Sequence, residues 1–295
     1  MIIIRLMGGL GNQLFQYASA KSLALKNQTE LLIDTTYYTN VHEKTTIRNF
    51  ELDNFNLSFN IATKSDLDKF ENSSFSLLSI FKLHVLTLGK FNKYKESNLQ
   101  MDGDFLNLYG NLYLRGFFQN EVYFQDIRKQ LLKEITPKID FDKLNKELIH
   151  SMEAVNSVSV HIRRGDHLHY ANNSFHGVCS KTYYDNAFEI IHTKVKNPAF
   201  FYFTDDDEWV RQNFKLNEFD IIVDHNKGSN SYYDLLLMKY CKHNIIANSS
   251  FSWWGAWLNE NDSKIVIGPD KWYVEKSLKN INHCSRDWIS IDPEY

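Results

Sequence analysis

The chain alternates short apolar runs with stretches in which apolar residues recur at helical spacing. Residues 2–7 form the first apolar run, glycines interrupt it, and residues 12–26 place apolar side chains every three or four positions. A second apolar run at 30–34 completes a strand–helix–strand order. Because such units join parallel strands, the pattern predicts an α/β unit at the start of the chain.

The second half of the chain repeats this alternation. Strands are predicted at 158–162, 200–204, 221–223, 244–247 and 264–267, with helices at 181–195, 207–214, 231–240 and 252–258. A helix is also predicted over 121–135, whereas residues 138–155 give few signals and are expected to hold a domain boundary. We therefore expect an α/β fold of two Rossmann-like domains, residues 1–152 and 153–295, facing each other across a cleft.

Composition narrows the class of protein. The formal net charge of −3 argues against a nucleic-acid binder, which usually has a basic excess. Three cysteines without a CxxC pair indicate a reducing compartment. No charged leader precedes an apolar stretch and no run of about eighteen apolar residues occurs, so we expect a cytoplasmic chain without a membrane span. Peripheral membrane association stays open, with residues 82–95 as the only basic stretch.

Two adjacent arginines, Arg163 and Arg164, directly follow the apolar run at 158–162. A guanidinium offers a planar fork of donors that fits phosphate oxygens, so both are candidates for neutralising a departing diphosphate. Because neighbouring side chains on a strand point to opposite faces, we expect one arginine to meet phosphate and the other to pair with a carboxylate. The alternative is a surface ion pair with Asp166.

A glycine-rich turn, GGLGNQ, lies between the first strand and the first helix. Backbone amides at such a turn can approach a phosphate or a sugar hydroxyl closely. Gly9 and Gly11 nearly match the dinucleotide fingerprint, and Asp34 ends the next strand where that motif has a ribose-binding acid. Leu14 replaces the third glycine, which counts against an NAD site. A plain tight turn with Asn12 as the helix N-cap is a further interpretation.

An acidic segment, TDDDE, follows the apolar run at 200–204. Asp205 and Asp207 formally match a short metal-binding motif known from one glycosyltransferase fold, but acids at the start of a helix are also favoured by the helix dipole. Asp205 or Asp206 could instead accept hydrogen bonds from the two adjacent donors of guanine. The histidines at 161, 167, 169 and 176 lack a cysteine partner and helical i, i+4 spacing, so we predict no metal site.

Small hydroxyl side chains follow another predicted strand, in the segment NSSFSWWGAW. Ser249, Ser250 and Ser252 come together with the unpaired amides of a first helical turn, which is an anion-binding arrangement. The alternative is that Ser249 and Ser252 only cap the helix. We expect most of the tryptophans that follow to pack in the core.

Taken together, these segments resemble the α-1,2-fucosyltransferases of glycosyltransferase family 11. The resemblance covers nearly the whole chain and is carried by GGLGNQLFQYASAKSLA (8–24), RGFFQNEVYF (115–124), VSVHIRRGD (158–166), FYFTDD (201–206) and YYDLLLMKYCKHNIIANSSFSWWGAWL (232–258). It implies the GT-B arrangement, GDP-L-fucose as donor, a galactose-terminated oligosaccharide as acceptor, inversion at the anomeric carbon, and no cofactor or metal. The size resembles bacterial enzymes of O-antigen and polysaccharide synthesis, with residues 1–152 mainly on the acceptor side and 153–295 binding the GDP-sugar.

The resemblance also implies roles for single residues. Arg163 holds the pyrophosphate and stabilises GDP as it departs, while Arg164 and Asp166 form a supporting pair. Asn12 approaches the fucose, and Asp166 or Glu121 is a candidate general base. The other donor-binding candidates surround the nucleotide and the sugar: Gly11, His161, Asp205, Asp206, Ser249, Ser250, Phe251 and Ser252.

Three other functions fit parts of the sequence. An NAD-type oxidoreductase would use the turn at Gly9 and Gly11 but leaves HIRRGD and NSSFSWWGAW unexplained. A non-catalytic sugar- or nucleotide-binding protein would bind GDP without turnover. A transferase of another GDP-deoxyhexose would keep the same motifs, because these motifs locate the nucleotide better than they locate the sugar. Within a transferase, Gln119 could orient the acceptor.

Overall fold

The computed structural model describes residues 1–39, 48–71, 91–97, 99–165, 175–278 and 280–295. The chain divides into two compact units, Met1–Lys138 and Ile139–Tyr295. The division lies at the start of the stretch 138–155, where a domain boundary is expected from the sequence, and the helix Lys143–Ala154 falls in the second unit. The amphipathic part of the predicted acceptor region, residues 74–88, lies outside the described residues.

The first unit is built on a five-stranded parallel sheet with the order β3-β2-β1-β5-β4. Its strands are β1 (Ile2–Arg5), β2 (Leu31–Asp34), β3 (Asn60–Ile61), β4 (Phe91–Lys95) and β5 (Asn111–Arg115). Its described α-helices are α1 (Leu10–Lys26), α2 (Thr36–Thr39), α3 (Lys64–Asp68) and α4 (Arg128–Glu134). The strand order reverses at β1, whose carboxyl end leads into the glycine-rich turn.

The second unit is built on a six-stranded parallel sheet with the order β11-β10-β9-β6-β7-β8. Its strands are β6 (Asn156–Ile162), β7 (Pro198–Thr204), β8 (Ile221–Val223), β9 (His243–Ile245), β10 (Val266–Pro269) and β11 (Ile289–Ile291). Its described α-helices are α5 (Lys143–Ala154), α6 (Lys181–Lys194), α7 (Asp207–Asn213), α8 (Tyr232–Met238) and α9 (Ser250–Leu258). Here the strand order reverses at β6.

The apolar runs of the sequence become buried strands because both faces of a parallel sheet are covered. In β6 only the first residue is not buried, and in β7 only the last. Helix α9 is buried from Ser252 to its end, and Trp253 and Trp254 are fully buried, as expected from the sequence. A side chain at Gly255 would meet Met238 Cβ at 2.7 Å, so glycine lets α9 lie against α8.

Several predicted boundaries are wrong in detail. The helix predicted over 121–135 consists of two 3-10 turns, Glu121–Tyr123 and Gln125–Ile127, followed by α4. The Asn120 side chain accepts a hydrogen bond from the Val122 amide and so starts a separate short turn. Helix α1 begins two residues earlier than predicted and has Gly9 at its N-cap, so Asn12 is not the N-cap. Within the described ranges, no helix combines the length and apolar character needed to cross a bilayer.

Candidate active site

In the second unit, three of the segments singled out in the sequence lie at one edge of the sheet. The arginine pair follows β6, the acidic segment follows β7, and the serine-rich segment follows β9. Strands β7 and β9 are the two neighbours of β6, the strand at which the order reverses. Ligands of open α/β sheets bind beyond the carboxyl ends of the strands at this point, so the topology marks the same residues as the sequence does.

Arg163 forms an ion pair with Asp205, with its Nη1 3.1 Å from Oδ2 of the carboxylate. The other carboxylate oxygen accepts hydrogen bonds from the backbone amides of Arg164 at 2.9 Å and Gly165 at 3.1 Å. A side chain at Gly165 would lie 2.7 Å from Asp205 Oδ2, so the close approach requires glycine. About a quarter of each side chain of the ion pair is exposed, 26% for Arg163 and 29% for Asp205, so the pair remains within reach of a ligand.

Arg164 pairs with a different carboxylate, Asp206, through an Nε–Oδ2 contact of 3.1 Å. Its guanidinium also stacks over the Trp209 ring at 4.4 Å. The second oxygen of Asp206 accepts a hydrogen bond from the Trp209 amide and caps α7. Arg164 is therefore held from two sides, whereas the supporting partner predicted for it, Asp166, lies outside the described residues.

His161 and Phe251 are brought together across the sheet edge. Their ring centroids are 5.8 Å apart, His161 is buried and Phe251 is half-buried. The His161 carbonyl accepts a hydrogen bond from the Tyr184 hydroxyl at 3.1 Å, which ties the end of β6 to α6. The contact links the arginine-bearing strand to the first turn of α9.

The first turn of α9 carries the three candidate serines. Ser249 occupies the N-cap position but its side chain makes no capping hydrogen bond, while the Ser252 hydroxyl donates to the Ser249 carbonyl at 3.2 Å. Ser249 and Ser250 are half-buried and Ser252 is fully buried. A capping role for the Ser249 side chain is therefore not seen.

Two polar residues of the second unit were missed by sequence reasoning. Asn248 is buried and donates to the His176 carbonyl at 2.8 Å, so it fixes the chain beside the end of β9. Burial raises the pKa of the Asp234 carboxyl to about 7, against the effect of a hydrogen bond from Asn226. Asn248 stands next to the serines in NSSF and could have been found there, whereas the environment of Asp234 leaves no local signal.

In the first unit, the glycine-rich turn has the backbone geometry that glycine permits. Gly8 has a φ of +80°, and a Cβ atom there would lie 2.6 Å from the side-chain nitrogen Nδ2 of Asn12. Gly11 is buried in the first turn of α1. Asn12 Oδ1 accepts a hydrogen bond from Gln119 Nε2 at 2.7 Å, so the predicted sugar-facing residue and the predicted acceptor-orienting residue are in direct contact.

The segment that carries Gln119 is held by Glu96, which sequence reasoning also missed. The Glu96 carboxylate accepts hydrogen bonds from the amides of Phe117 at 2.7 Å and Phe118 at 3.2 Å. Phe118 is fully buried and has a φ of +52°, an uncommon conformation for a residue with a side chain. Burial raises the pKa of Glu96 to about 7 although both amide hydrogen bonds lower it.

Glu121, the other predicted base, is half-buried at the start of the 3-10 turn Glu121–Tyr123. Within the described parts of the chain, no group of three His, Cys, Asp or Glu side chains is arranged to hold a metal ion. Metal independence stays a prediction.

Two parallel α/β units, the second with an arginine pair and a serine-opened helix at its sheet edge, have the fold of the GT-B class. The chain belongs to glycosyl transferase family 11, whose profile matches residues 1–292. This membership confirms the family predicted from the sequence. It also argues against the NAD-type oxidoreductase, in which Asp34 would bind a ribose. The Asp34 carboxylate instead accepts hydrogen bonds from the Thr36 amide and the Tyr113 hydroxyl.

Three known proteins illustrate the similarity. An alpha-1,2-colitosyltransferase of Escherichia coli is 35% identical over 99% of this chain and 99% of that protein. The O-antigen biosynthesis glycosyltransferase WbnK of Escherichia coli is 33% identical over 97% of this chain and 99% of that protein. Galactoside alpha-(1,2)-fucosyltransferase 2 of Sus scrofa is 23% identical over 61% of this chain and 56% of that protein.

Among solved structures, a mutant of Arabidopsis thaliana FUT1 in complex with GDP has a similar fold. The TM-score is 0.51 at 12% identity, and the similarity covers 90% of this chain and 69% of that chain. At this identity the likeness concerns the fold alone. It agrees with the GT-B class predicted from the sequence.

Proposed function

We propose that the protein transfers L-fucose from GDP-L-fucose to the 2-hydroxyl of a β-galactoside, with inversion at the anomeric carbon. The observation that carries the proposal is that Arg163 and Arg164 follow β6 at the same sheet edge as the first turn of α9, which contacts β6 through Phe251 and His161. Such an edge offers cations and helix amides to a diphosphate. Full-length similarity to O-antigen and α-1,2-transferring relatives supports the linkage and a role in bacterial O-antigen synthesis.

In the proposed reaction, the bond between fucose C1 and the diphosphate oxygen breaks as the acceptor oxygen attacks C1 from the opposite face. Negative charge then develops on the β-phosphate of GDP, and fixed cations stabilise it better in the transition state than in the substrate. Arg163 is the residue proposed to supply this charge. Asp205 and Asp206 orient the two arginines, and the guanine contact predicted for one of these acids stays a prediction.

The acceptor proton must leave as the new bond forms. Asp166 and Glu121 stay candidates for the general base, and Asn12 and Gln119 are proposed to position the sugars. A base that works near neutral pH needs a pKa in that range. Glu96 has such a pKa, but its contacts with Phe117 and Phe118 favour a role in holding the Gln119 loop.

A second donor is favoured by one observation, the 35% identity to a colitosyltransferase over both full chains. Colitose differs from fucose by lacking the 3-hydroxyl. A site that hydrogen-bonds this hydroxyl rejects the deoxy sugar by up to about 10⁴-fold, whereas a site that merely leaves room for it discriminates far less. The ratio of kcat/KM for GDP-fucose and GDP-colitose therefore decides between the donors.

The test uses initial rates with lactose as acceptor and each GDP-sugar as donor, with and without EDTA. We expect a higher kcat/KM with GDP-fucose and no effect of EDTA. A higher kcat/KM with GDP-colitose would assign the other donor. GDP binding without turnover of either donor on several galactosides would instead favour a non-catalytic binding protein.

The role of Arg163 is tested in the same assay. Replacing Arg163 by alanine removes a charged hydrogen-bond donor, for which we expect GDP affinity to fall about 10- to 100-fold. Arg211→Ala is the matched control, since Arg211 is an exposed residue of α7 in the same unit. Equal losses in both variants would refute the assignment.

A further inference from the structure

The carboxyl edge of the sheet in the first unit carries a polar pocket. It is a cavity of 340 Å³ at the ends of β1, β2 and β5. Its lining includes three cationic side chains, a tyrosine, a buried ring and two acids, one buried and one exposed: Arg5, Lys93, Arg115, Tyr113, Phe70, Asp34 and Glu71. Clefts of about 300 Å³ and more are in the range that binds small molecules.

Two of its cations stand side by side. Ile4 pairs with Leu114 in the β1–β5 ladder, and Arg5 and Arg115 are the next residues on the two strands. Neighbouring strands lie about 4.8 Å apart, and residues in register point to the same face of the sheet. The two guanidinium groups therefore enter the pocket from adjacent positions.

Neither arginine has an anionic partner among the described residues. Neither arginine forms an ion pair or a side-chain hydrogen bond with any described residue. The Arg5 Nε atom is buried without a hydrogen-bond partner. Arg5 and Arg115 are both half-buried, and two positive charges held close together repel each other unless an anion lies between them. Glu71, the exposed acid of the lining, forms no ion pair with Arg5 or Arg115 among the described residues.

The acid closest in register, Asp34, is already engaged. Asp34 lies opposite Arg5 in the register of the β1–β2 ladder but forms no ion pair with it. Its two carboxylate oxygens accept hydrogen bonds from the Thr36 amide at 2.9 Å and the Tyr113 hydroxyl at 2.6 Å. Asp34 is only 2% exposed, so a ligand in the cavity meets the arginines rather than this carboxylate.

We propose that this pocket binds an anionic group, a phosphate or a carboxylate, carried by the acceptor glycan. The inference rests on the proposed function, because it assigns the pocket to the acceptor. Strand β1 leads into the turn with Gly8, and β5 leads into the loop with Gln119, so the same two strands carry the pocket and the proposed sugar contacts.

Three acceptors with the same terminal galactose test the proposal: lactose, lactobionate and lactose 1-phosphate. Their equilibrium binding and their KM in fucose transfer are compared for the wild type, Arg5→Gln and Arg115→Gln. A charged hydrogen bond to arginine corresponds to about a 10- to 100-fold change, so we expect the wild type to bind an anionic acceptor at least tenfold more tightly than lactose. Both variants are expected to lose that preference and to keep their affinity for lactose and GDP.

Lys129→Gln removes one exposed positive charge from α4 and serves as the control for net charge. Arg115→Lys keeps the charge and shows whether a loss follows from the charge or from altered folding, which thermal unfolding also monitors. A preference for the phosphate identifies a phosphorylated acceptor, and a preference for the carboxylate identifies an acidic sugar.

Equal affinities for the three acceptors, or a preference that persists in both glutamine variants, would overturn the pocket assignment. Fucose transfer without any anion preference would leave the proposed function standing and remove only this inference. An arginine-dependent preference in binding, without transfer of fucose, would keep the pocket and remove the proposed function.

Discussion

Replacing Glu96 by glutamine perturbs the carboxyl group that holds the Gln119 loop. The carboxylate accepts hydrogen bonds from the amides of Phe117 and Phe118, and Gly116 packs so closely that a side chain there would lie 2.5 Å from Glu96 Cβ. Glutamine has nearly the same shape and keeps one accepting oxygen. The substitution therefore removes the ionisation of residue 96 with little change in packing.

The size of the expected change in the free energy of unfolding follows from the pKa of Glu96. Burial raises this pKa from an ordinary value of 4.5 to about 7. The folded protein then holds this proton to higher pH than the unfolded chain does. The resulting stability is fully present below pH 4.5 and is lost as the pH rises through about 7. One pH unit corresponds to about 1.4 kcal/mol, so the loss is on the order of 3 kcal/mol.

Urea denaturation of both proteins between pH 4.5 and pH 8.5 measures this effect as a difference in the free energy of unfolding. We expect Glu96→Gln to gain stability relative to the wild type as the pH rises, by roughly the amount above. Asp126→Asn removes an exposed acid of the same unit and serves as the control for net charge. A difference between Glu96→Gln and the wild type that does not change with pH would refute the reasoning.

Two further substitutions test other parts of the structure. Gly165→Ala places a methyl group 2.7 Å from Asp205 Oδ2 and is expected to displace this carboxylate from Arg163, lowering GDP affinity in calorimetry about tenfold; unchanged affinity would argue against the arrangement. Tyr17→Phe removes a buried hydroxyl that donates to Glu134 at 2.6 Å, and we expect a loss of about 1–3 kcal/mol in urea unfolding, whereas a loss near zero would show that water replaces the contact.

Much of the second unit could be predicted because its motifs directly follow apolar runs. The strand ends at Ile162 and Thr204 were predicted correctly. The arginine partners were not, because Asp205 and Asp206 face Arg163 and Arg164 only through the β6–β7 register, in which Ile162 pairs with Thr204. Pairing between strands forty residues apart leaves no trace in the local pattern.

The first unit could be predicted less completely, for the same physical reason. The strand–helix–strand start followed from periodicity, but the Asn12–Gln119 contact joins residues far apart in the chain. Glu96 carries no motif, and its raised pKa arises from burial among residues that the fold brings together. The two arginines of the anion pocket likewise become neighbours only when β1 and β5 pair.

The most direct test of the central claim is the structure of the reaction product. The protein is incubated with GDP-β-L-fucose and lactose, and the trisaccharide is analysed by NMR for the anomeric configuration and the position of the new linkage. The account predicts a single product with α-linked fucose on the 2-hydroxyl of galactose. A fucosyl group with β configuration, or on any other hydroxyl, would contradict it, as would the absence of transfer to lactose and to other terminal galactosides.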